Sequence, residues 1–281
     1  MLHGVIPRLC RDSASYQDSG TSIRLFLLDE SAIRLGPSTA MLSFIVPAHN
    51  EERWIGQCLD SIRATMDKVS EPYEVIVVDD ASTDGTPRIV EQMQVRTTRV
   101  EHRKVAAVRN AGARLASGEI FFFVDADTQI NERAVHAALA VLRSGAAGGG
   151  CIFDFDGPIP LWGRIIHAAA CVMGRLVRWV GGCFLFCTRE AYQATGGFSE
   201  SLHAGEDIAF IQSLKKVGRF VVVKPTVLTS GRKLDVVGLW EVIGLVLRIA
   251  VRGPHYENQM ILDIMYGQRA QACRNSSKAH L

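Results

Sequence analysis

The chain has 281 residues, with 31 Lys and Arg against 29 Asp and Glu and a formal net charge of +2. Hydrophobic residues make up 48% and charged residues 21%, which is typical of a globular chain that buries a large core and not of a chain that is disordered throughout. With 7% aromatic residues and no concentrated basic stretch, nucleic acid is not expected as a partner. The 7 cysteines are widely spaced without a C-x-x-C pair, which predicts free buried thiols in a reducing compartment.

The sequence shows no export or membrane-spanning signal. Its longest early apolar run, 25–28, is shorter than the roughly 7–15 residues of a secretory signal. The two most apolar stretches, 161–187 and 236–251, contain charged residues before they reach the roughly 20 apolar residues of a spanning helix. A cytoplasmic location, with peripheral contact at the cytoplasmic membrane face, is therefore expected.

Regular patterning begins at Met41, after a segment without a sustained helical or strand period. Residues 1–40 are expected to form a poorly ordered N-terminal extension, and Met41 is interpreted as the natural start. N-terminal sequencing of protein made from the native gene would test this hypothesis. Residues 41–235 are expected to form one domain, and residues 236–281 a C-terminal amphipathic helical segment.

Predicted strands and helices alternate from Met41 onward. Apolar runs predict strands at 42–46, 74–78, 120–124, 182–187 and 221–223. Helical spacing predicts helices at 51–66, 105–116, 161–180, 206–216 and 236–252. A further helix is predicted after Thr86, which is expected to cap it. This order indicates an open α/β domain, a mostly parallel sheet flanked by helices, whose ligands bind beyond the carboxyl ends of the strands.

Two carboxylates, Asp125 and Asp127, directly follow the apolar run IFFFV. Beyond the strand the backbone no longer holds them on fixed faces, so both can turn towards one divalent cation. Oxygen ligands of this kind suit Mg²⁺ or Mn²⁺, which can bridge to phosphate oxygens. Alternatively, the two aspartates only cap the turn before a helix at Asn131.

Polar segments follow the first two predicted strands as well. DDASTDGT, at 79–86, follows EVIVV, and its Asp80 can accept hydrogen bonds from a base or from ribose hydroxyls. A turn rich in Asp, Ser and Gly is the alternative interpretation. PAHNEE, at 47–52, follows the first strand, where Asn50 is expected to cap a helix that begins at Glu51.

These segments and several later ones stand in a characteristic order. The order is IVPAHNEE, VVDDASTDGT, RNAG at 109–112, GE at 118–119, DAD at 125–127, GGF at 196–198 and ED at 206–207. The set resembles family 2 glycosyltransferases of the GT-A fold from residue 41 to about residue 216. His49 departs from the family pattern, in which tyrosine is commoner.

The resemblance implies a metal-dependent, inverting transferase. Its donor would be a nucleoside diphosphate sugar, with UDP favoured, and its acceptor a hydroxyl or phosphate of a glycan or lipid-linked molecule. The resemblance places Pro47, His49, Glu51 and Asp80 near the nucleoside of the donor. It places Arg109 near the diphosphate, with Asn110 in support. Asp125 would contact the ribose, or the metal through water. Asp127 resembles the ligand of Mn²⁺ or Mg²⁺.

Glu206 and Asp207 resemble the acceptor end of the family's site. Asp207 would be the general base and Glu206 would orient the acceptor. The set is chemically coherent, because sugar transfer needs a cation at the leaving diphosphate and a base at the acceptor. Considered alone, the two acids are also explained as first-turn residues favoured by a helix dipole.

Basic residues concentrate in the second half of the chain. Residues 161–281 carry 15 Lys and Arg against 8 Asp and Glu, whereas residues 41–160 carry 12 against 17. An anionic acceptor or a membrane surface is therefore expected to face the second half. Arg232 and Lys233 form either a loop that closes over the diphosphate or an ordinary basic turn.

The predicted helix 161–180 has a basic face and an apolar side. The basic face contains Arg164, His167, Cys171, Arg175 and Arg178. This pattern suits a membrane-surface helix or a pocket for a lipid phosphate acceptor. A core helix with solvated arginines is the alternative.

Other classes of protein fit the motifs less well. FFFVDADT is similar to the opening motif of haloacid dehalogenase-like phosphatases, and such an enzyme would use Asp125 and Asp127 here. That family places Thr four residues after the first Asp, whereas Thr128 is three residues after Asp125. A dehydrogenase is disfavoured because the glycine run at 148–150 lacks the GxGxxG spacing. A nucleotidyltransferase would need a Gly-rich basic loop after the first strand, and this chain has PAHNEE there. A non-catalytic sugar-nucleotide-binding domain remains an alternative, although every expected acid is present.

Overall fold

The computed structural model describes residues 40–157, 160–202 and 205–231. The predicted N-terminal extension and the predicted C-terminal amphipathic segment lie outside the described residues. Arg232 and Lys233 also lie outside them.

Strands and helices alternate along the described residues. The strands are β1 (Leu42–Ala48), β2 (Tyr73–Asp80), β3 (Arg96–Val100), β4 (Ile120–Val124), β5 (Thr128–Gln129), β6 (Gly148–Asp156), β7 (Phe184–Thr188) and β8 (Phe220–Ser230). The helices are α1 (Ile55–Val69), α2 (Thr86–Gln92), α3 (Val105–Leu115), α4 (Glu132–Arg143), α5 (Leu161–Val177), α6 (Arg189–Thr195) and α7 (Glu206–Val217).

The strands form one sheet in the order β3-β2-β1-β4-β7-β6-β8-β5. The pairs β3 with β2, β2 with β1, β1 with β4 and β6 with β8 are parallel, whereas β7 is antiparallel to both neighbours and β5 is antiparallel to β8. The carboxyl ends of β1, β2 and β4 therefore share one edge of the sheet. The segments PAHNEE, DDASTDGT and DAD follow those three ends. The predicted α/β fold with a mostly parallel sheet is confirmed.

Strand β4 lies between two hydrophobic layers. Its five residues are each 6% exposed or less. Phe122 stacks on Phe44 in one layer, with ring centroids 4.8 Å apart. Phe123 contacts Phe198 edge to face in the other layer, also at 4.8 Å. The uninterrupted apolar run of β4 thus reflects burial on both faces, as predicted.

Strand β6 is not predicted by the sequence pattern, because it begins with three glycines. A Cβ at Gly149 would lie 2.2 Å from the Val221 carbonyl oxygen of β8 and 2.5 Å from the Phe186 ring of β7. Glycine lets both neighbouring strands approach, but it removes the alternating side chains by which a strand is recognised. Edge strand β3 escapes prediction for another reason, since most of its residues are exposed and polar.

Two helix starts differ from the prediction. Helix α1 begins at Ile55 and not at Glu51, and Asn50 does not cap it. The Asn50 Oδ1 instead accepts a hydrogen bond from the Thr83 N–H at 2.8 Å. Helix α2 begins at Thr86 itself. The expected local caps are absent because these side chains bind across the two loops.

Gly112, the glycine of RNAG, lies where α3 packs on the sheet. A Cβ there would lie 2.4 Å from Ile45 Cγ2 and 3.0 Å from Val78 Cγ2. Gly112→Ala is therefore expected to lower the free energy of unfolding by about 1–3 kcal/mol, the usual effect of overpacking. Denaturant unfolding measures the change.

Gly56→Ala is the matched control for Gly112→Ala. Gly56 lies in α1, and the nearest atom to its added Cβ would be Ile89 Cγ2 at 3.9 Å. This substitution is expected to be neutral or to stabilise the protein by up to about 1 kcal/mol, because alanine favours a helix. Equal effects at both glycines would contradict the packing explanation.

Candidate active site

The loops after β1 and β2 form one hydrogen-bonded rim. The Asn50 N–H donates to Ser82 Oγ at 3.0 Å, and the Glu51 N–H donates to Thr86 Oγ1 at 2.8 Å. PAHNEE and DDASTDGT therefore act as a single structural unit, and the hydroxyl residues of the second segment satisfy the backbone of the first.

Asp80 and His49 meet on this rim. Asp80 is buried, and its Oδ1 accepts hydrogen bonds from the backbone N–H groups of His102 at 2.7 Å and Arg103 at 3.1 Å. The His49 Nδ1 lies 2.6 Å from the Asp80 carbonyl oxygen, to which it donates when Nδ1 carries the proton. The orientation of the Asp80 carboxylate is thus set by the loop that leads into α3.

Pro47 and Glu51 complete the residues that the resemblance places near the nucleoside. The pairing of β1 with β4 ends at Ile45. Pro47 lies two residues further along β1, where the side of the strand that faced β4 is no longer paired. Glu51 is buried beside α1. The structure therefore brings all four predicted nucleoside residues to the same edge of the sheet.

Arg109 connects three parts of the chain. Its side chain is 3% exposed. Nη2 donates to Asp125 Oδ1 at 2.8 Å and to the Gly182 carbonyl oxygen at 3.0 Å, and Nη1 donates to Glu206 Oε1 at 3.3 Å. The Phe198 ring centroid lies 5.2 Å from its Cζ. One buried guanidinium thus connects three segments: the residue that follows β4, the first turn of α7, and the segment before β7.

The charges around Arg109 are unequal. Burial disfavours its positive charge, but Asp125, Glu206 and Asp207 raise its pKa above the ordinary value. One cation faces three acidic side chains, so the cluster favours either a proton on one of the acids or a further cation nearby. The diphosphate contact implied for Arg109 stays a prediction beside these observed ion pairs.

Glu206 and Asp207 lie in the first turn of α7. Burial raises the pKa of both carboxyl groups, and this effect outweighs the attraction of Arg109. Asp207 Oδ1 accepts a hydrogen bond from the Ile208 N–H at 2.8 Å. A Cβ at Gly182 would lie 3.0 Å from Asp207 Cβ, so glycine allows that segment to pass close to α7. Arg109 and the Ile208 N–H therefore interact with these acids in addition to the helix dipole.

Asp125 and Asp127 leave β4 towards different partners. Asp125 pairs with Arg109, whereas Asp127 Oδ1 lies 3.5 Å from Thr229 Oγ1 at the end of β8. The Asp127 carbonyl oxygen also accepts a hydrogen bond from the Ser230 N–H. Neither aspartate caps α4.

Asn131 caps α4 itself. Its Oδ1 accepts a hydrogen bond from the Ala134 N–H at 3.0 Å. The Thr128 N–H also donates to the Asp125 carbonyl oxygen at 2.9 Å, so the turn expected before Asn131 is present, and the turn and metal interpretations of the two aspartates both stay predictions. Their carboxylates remain at the sheet edge, next to the rim formed by the first two loops.

The acids after β4 fit a hard divalent cation in their chemistry. Mg²⁺ in particular is commonly held by one or two carboxylates, with substrate phosphates and water as the other ligands. Within residues 40–157, 160–202 and 205–231, no group of three His, Cys, Asp or Glu side chains is arranged to hold a metal ion.

Asn110 anchors the loop between α6 and α7. Its Nδ2 donates to the Phe198 carbonyl oxygen and to Glu200 Oε1, each at 2.8 Å. Its Oδ1 accepts hydrogen bonds from the Phe198 N–H at 2.9 Å and the Tyr192 hydroxyl at 2.8 Å. Sequence analysis placed GGF among the family motifs but did not connect Phe198 or Tyr192 with Asn110. The joint occurrence of RNAG and GGF is a signal for the contact of Asn110 with Phe198, whereas Tyr192 lies outside both motifs.

A family model described as glycosyl transferase family 2 matches residues 43–200. The chain belongs to this family. Staphylococcus aureus TarS, a poly(ribitol-phosphate) beta-N-acetylglucosaminyltransferase, is 36% identical over 106 residues, which cover 36% of this chain and 18% of TarS. The match thus spans less than a fifth of that relative.

Two solved structures share the fold of this family 2 glycosyltransferase. S. aureus TarS 1–349 in complex with UDP-GlcNAc has a TM-score of 0.55 and 22% identity, over 77% of this chain and 68% of that one. The mannosyltransferase PcManGT from Pyrobaculum calidifontis, in complex with GDP-Man and Mn²⁺, has a TM-score of 0.54 and 24% identity, over 74% and 64%. The predicted GT-A fold is confirmed, and family membership favours glycosyl transfer over the phosphatase interpretation.

Proposed function

We propose that this glycosyltransferase moves a sugar from a nucleoside diphosphate sugar to an acceptor hydroxyl or phosphate, with the help of Mn²⁺ or Mg²⁺ and with inversion. The observation that carries the proposal is the cluster beyond β4 in which Asp125, Glu206 and Asp207 surround the buried guanidinium of Arg109. A glycan or lipid-linked molecule is the proposed acceptor. TarS binds UDP and UDP-GlcNAc and PcManGT binds GDP-Man, which supports a nucleotide-sugar donor and, with Asp80, favours UDP here.

The donor nucleoside is proposed to bind along the rim after β1 and β2. The Asp80 carboxylate, held by two backbone amides, would accept hydrogen bonds from the base. Pro47, His49 and Glu51 would form the wall of this pocket. Asp125 would contact the ribose, or the cation through water, from the end of β4.

Asp127 is proposed to hold the cation. When bound, the cation neutralises the charge that develops on the leaving diphosphate. The Ser230 N–H already bonds to Asp127, and Arg232 and Lys233 follow two and three residues later along the chain. They are therefore proposed to reach the same diphosphate, together with Arg109.

The transfer step is assigned to Asp207. Its carboxylate would take the proton of the acceptor hydroxyl as that oxygen bonds to the anomeric carbon. The bond from the anomeric carbon to the diphosphate breaks, and its electron pair stays on the diphosphate oxygen. Attack opposite the leaving group inverts the anomeric centre. Glu206, fixed by Arg109, would orient the acceptor.

Titration with UDP tests the metal role of Asp127. UDP binding by the unmodified protein is expected to strengthen with Mn²⁺. Asp127→Ala is expected to reduce that gain by at least about 10–100-fold, because losing even a residue that only hydrogen-bonds to a metal ligand lowers metal affinity by this factor. Asp60→Ala, at an exposed aspartate of α1, is the control and should leave binding unchanged. Metal-independent UDP binding that survives Asp127→Ala would refute this role.

A further inference from the structure

Helix α5 turns its apolar side outward. Leu161, Ile165, Val172 and Leu176 recur at helical spacing and are 72%, 64%, 59% and 73% exposed. Together they define an apolar stripe along the helix. No helix within the described parts of the chain is long and apolar enough to cross a membrane. The exposed side chains of the stripe place α5 on the surface of the domain.

The opposite side of α5 contacts the domain. The His167 ring packs beside Phe153 and Phe155 of β6, with centroids 5.2 and 4.9 Å away. Cys171 Sγ lies 3.3 Å from His167 Nε2. Because the apolar stripe is exposed, the alternative interpretation of α5 as a core helix with solvated arginines is wrong. A sequence period shows which residues share a side of a helix but not which side faces the core.

A basic cleft lies at the C-terminal end of α5. Arg175 and Arg178 line it together with Arg219, beside the first residues of β8. Arg219 Nη2 donates to the Ser144 carbonyl oxygen at 3.0 Å, and no ion pair with a carboxylate is found for these three arginines within the described ranges. Partial burial, with a further contribution from Arg178, lowers the pKa of nearby Lys215. Among the residues that the structure describes, the cleft thus gathers three arginines that form no ion pair with a carboxylate.

The basic cleft is separate from the candidate active site. Helix α7 begins at Glu206 in the site and ends at Val217, just before Arg219. Its twelve residues span about 18 Å at 1.5 Å per residue. The arginines of the cleft are therefore not the groups that contact a donor diphosphate bound near Asp127.

We infer that the apolar stripe and the basic cleft dock this protein on the surface of an anionic lipid bilayer. The stripe would enter the boundary between headgroups and acyl chains, and Arg175, Arg178 and Arg219 would contact lipid phosphates. An exposed apolar face beside basic residues is the composition of an interfacial helix. This inference does not depend on the donor, the acceptor or the metal.

Charge complementarity identifies the bilayer as the occupant. A second copy of the chain that docked by the same face would bring two basic clefts together, which is electrostatically unfavourable. Residues 232–281 also contain more basic than acidic side chains, so they do not complement the cleft either. A surface of anionic phosphates over hydrocarbon matches both features at once.

Vesicle flotation of the full chain tests the docking. Binding is expected to vesicles of phosphatidylcholine with phosphatidylglycerol, and to be at least about tenfold weaker with phosphatidylcholine alone or in high salt. The double variant Ile165→Glu and Leu176→Glu should abolish binding to both vesicle types. Arg175→Ser with Arg178→Ser should remove mainly the preference for anionic lipid.

Matched controls separate docking from general surface changes. Leu115→Glu alters an exposed leucine at the end of α3, and Arg133→Ser an exposed arginine of α4. Both should bind vesicles as the unmodified protein does. Circular dichroism and UDP binding in solution should be unchanged in all four variants, which distinguishes failed docking from a failed fold or active site.

Several results would overturn the inference. One is equal flotation of the α5 variants and the unmodified protein. Another is a dimer, measured by light scattering, that Ile165→Glu dissociates. A photocrosslinker at position 172 that links to residues 236–252 without vesicles would assign the stripe to the chain itself. Binding of soluble inorganic phosphate at the cleft without flotation would assign the arginines to a free anion.

Discussion

Replacing Asp207 by asparagine is expected to slow sugar transfer by about 10²- to 10⁴-fold, the usual contribution of a general base. The amide keeps the size of the side chain but cannot take the acceptor proton. UDP binding should be retained, because Asp207 belongs to α7 and not to the rim after β1 and β2. Initial rates and calorimetric titration measure the two effects separately.

Asp60→Asn is the control for Asp207→Asn. Asp60 is exposed on α1, and its substitution should change neither turnover nor UDP binding. Unchanged turnover in Asp207→Asn would exclude this residue as the base. Loss of UDP binding together with turnover would instead indicate damage to the donor site.

The acid limb of the pH profile gives a second measure of Asp207. Burial raises its pKa above that of an ordinary aspartate, and nearby Arg109 partly opposes this. Below the raised pKa the carboxyl group already carries a proton, so transfer should fall as the pH decreases through that value. Arg109→Met should move the limb to higher pH. A limb at the pKa of an ordinary aspartate would contradict the role of burial.

Arg109→Met is expected to lower the free energy of unfolding by about 3–5 kcal/mol, the cost of leaving buried charges without their partner. Arg109 is the cation shared by Asp125 and Glu206, and it also lowers the pKa of Asp207. Denaturant unfolding measures the loss. Arg133→Met, at an exposed arginine of α4, is the control and should change stability by less than about 0.5 kcal/mol.

The loss caused by Arg109→Met should depend on pH. Burial raises the pKa of Glu206 and Asp207, so at low pH these two carboxyl groups carry protons and no longer need a counter-charge, and the difference from the unmodified protein should shrink. A difference that is the same at neutral and acidic pH would mean that Arg109 stabilises the fold mainly through packing, for example against Phe198.

The sheet edge that carries the candidate site can be predicted from the sequence alone. The apolar runs of β1, β2 and β4 predict central strands, and the polar segments begin at the ends of those strands. Parallel strands bring their carboxyl ends together, so Asp80, Asp125 and Asp127 could be placed at one edge without coordinates. Residues 206–207 could be assigned only through the order of the motifs.

The contacts between residues far apart in sequence depend on how the helices and loops pack, and the sequence pattern does not predict them. Arg109 and Glu206 are 97 residues apart in sequence, and their contact depends on how α3 and α7 pack on the sheet. Asn50 matched a local cap, yet its side chain binds the loop after β2. Strand β6 begins with glycines that are required by its neighbours and that carry no alternating pattern.

Helix α5 shows the same division within one element. Its sequence determines an apolar side and a set of arginines, because helical spacing depends only on local geometry. Which side faces water depends on long-range packing, and here His167 faces β6 while the apolar stripe is exposed. Local periodicity therefore specified the elements and the motif positions, whereas contacts between distant residues decided the charge cluster around Arg109 and the outward face of α5.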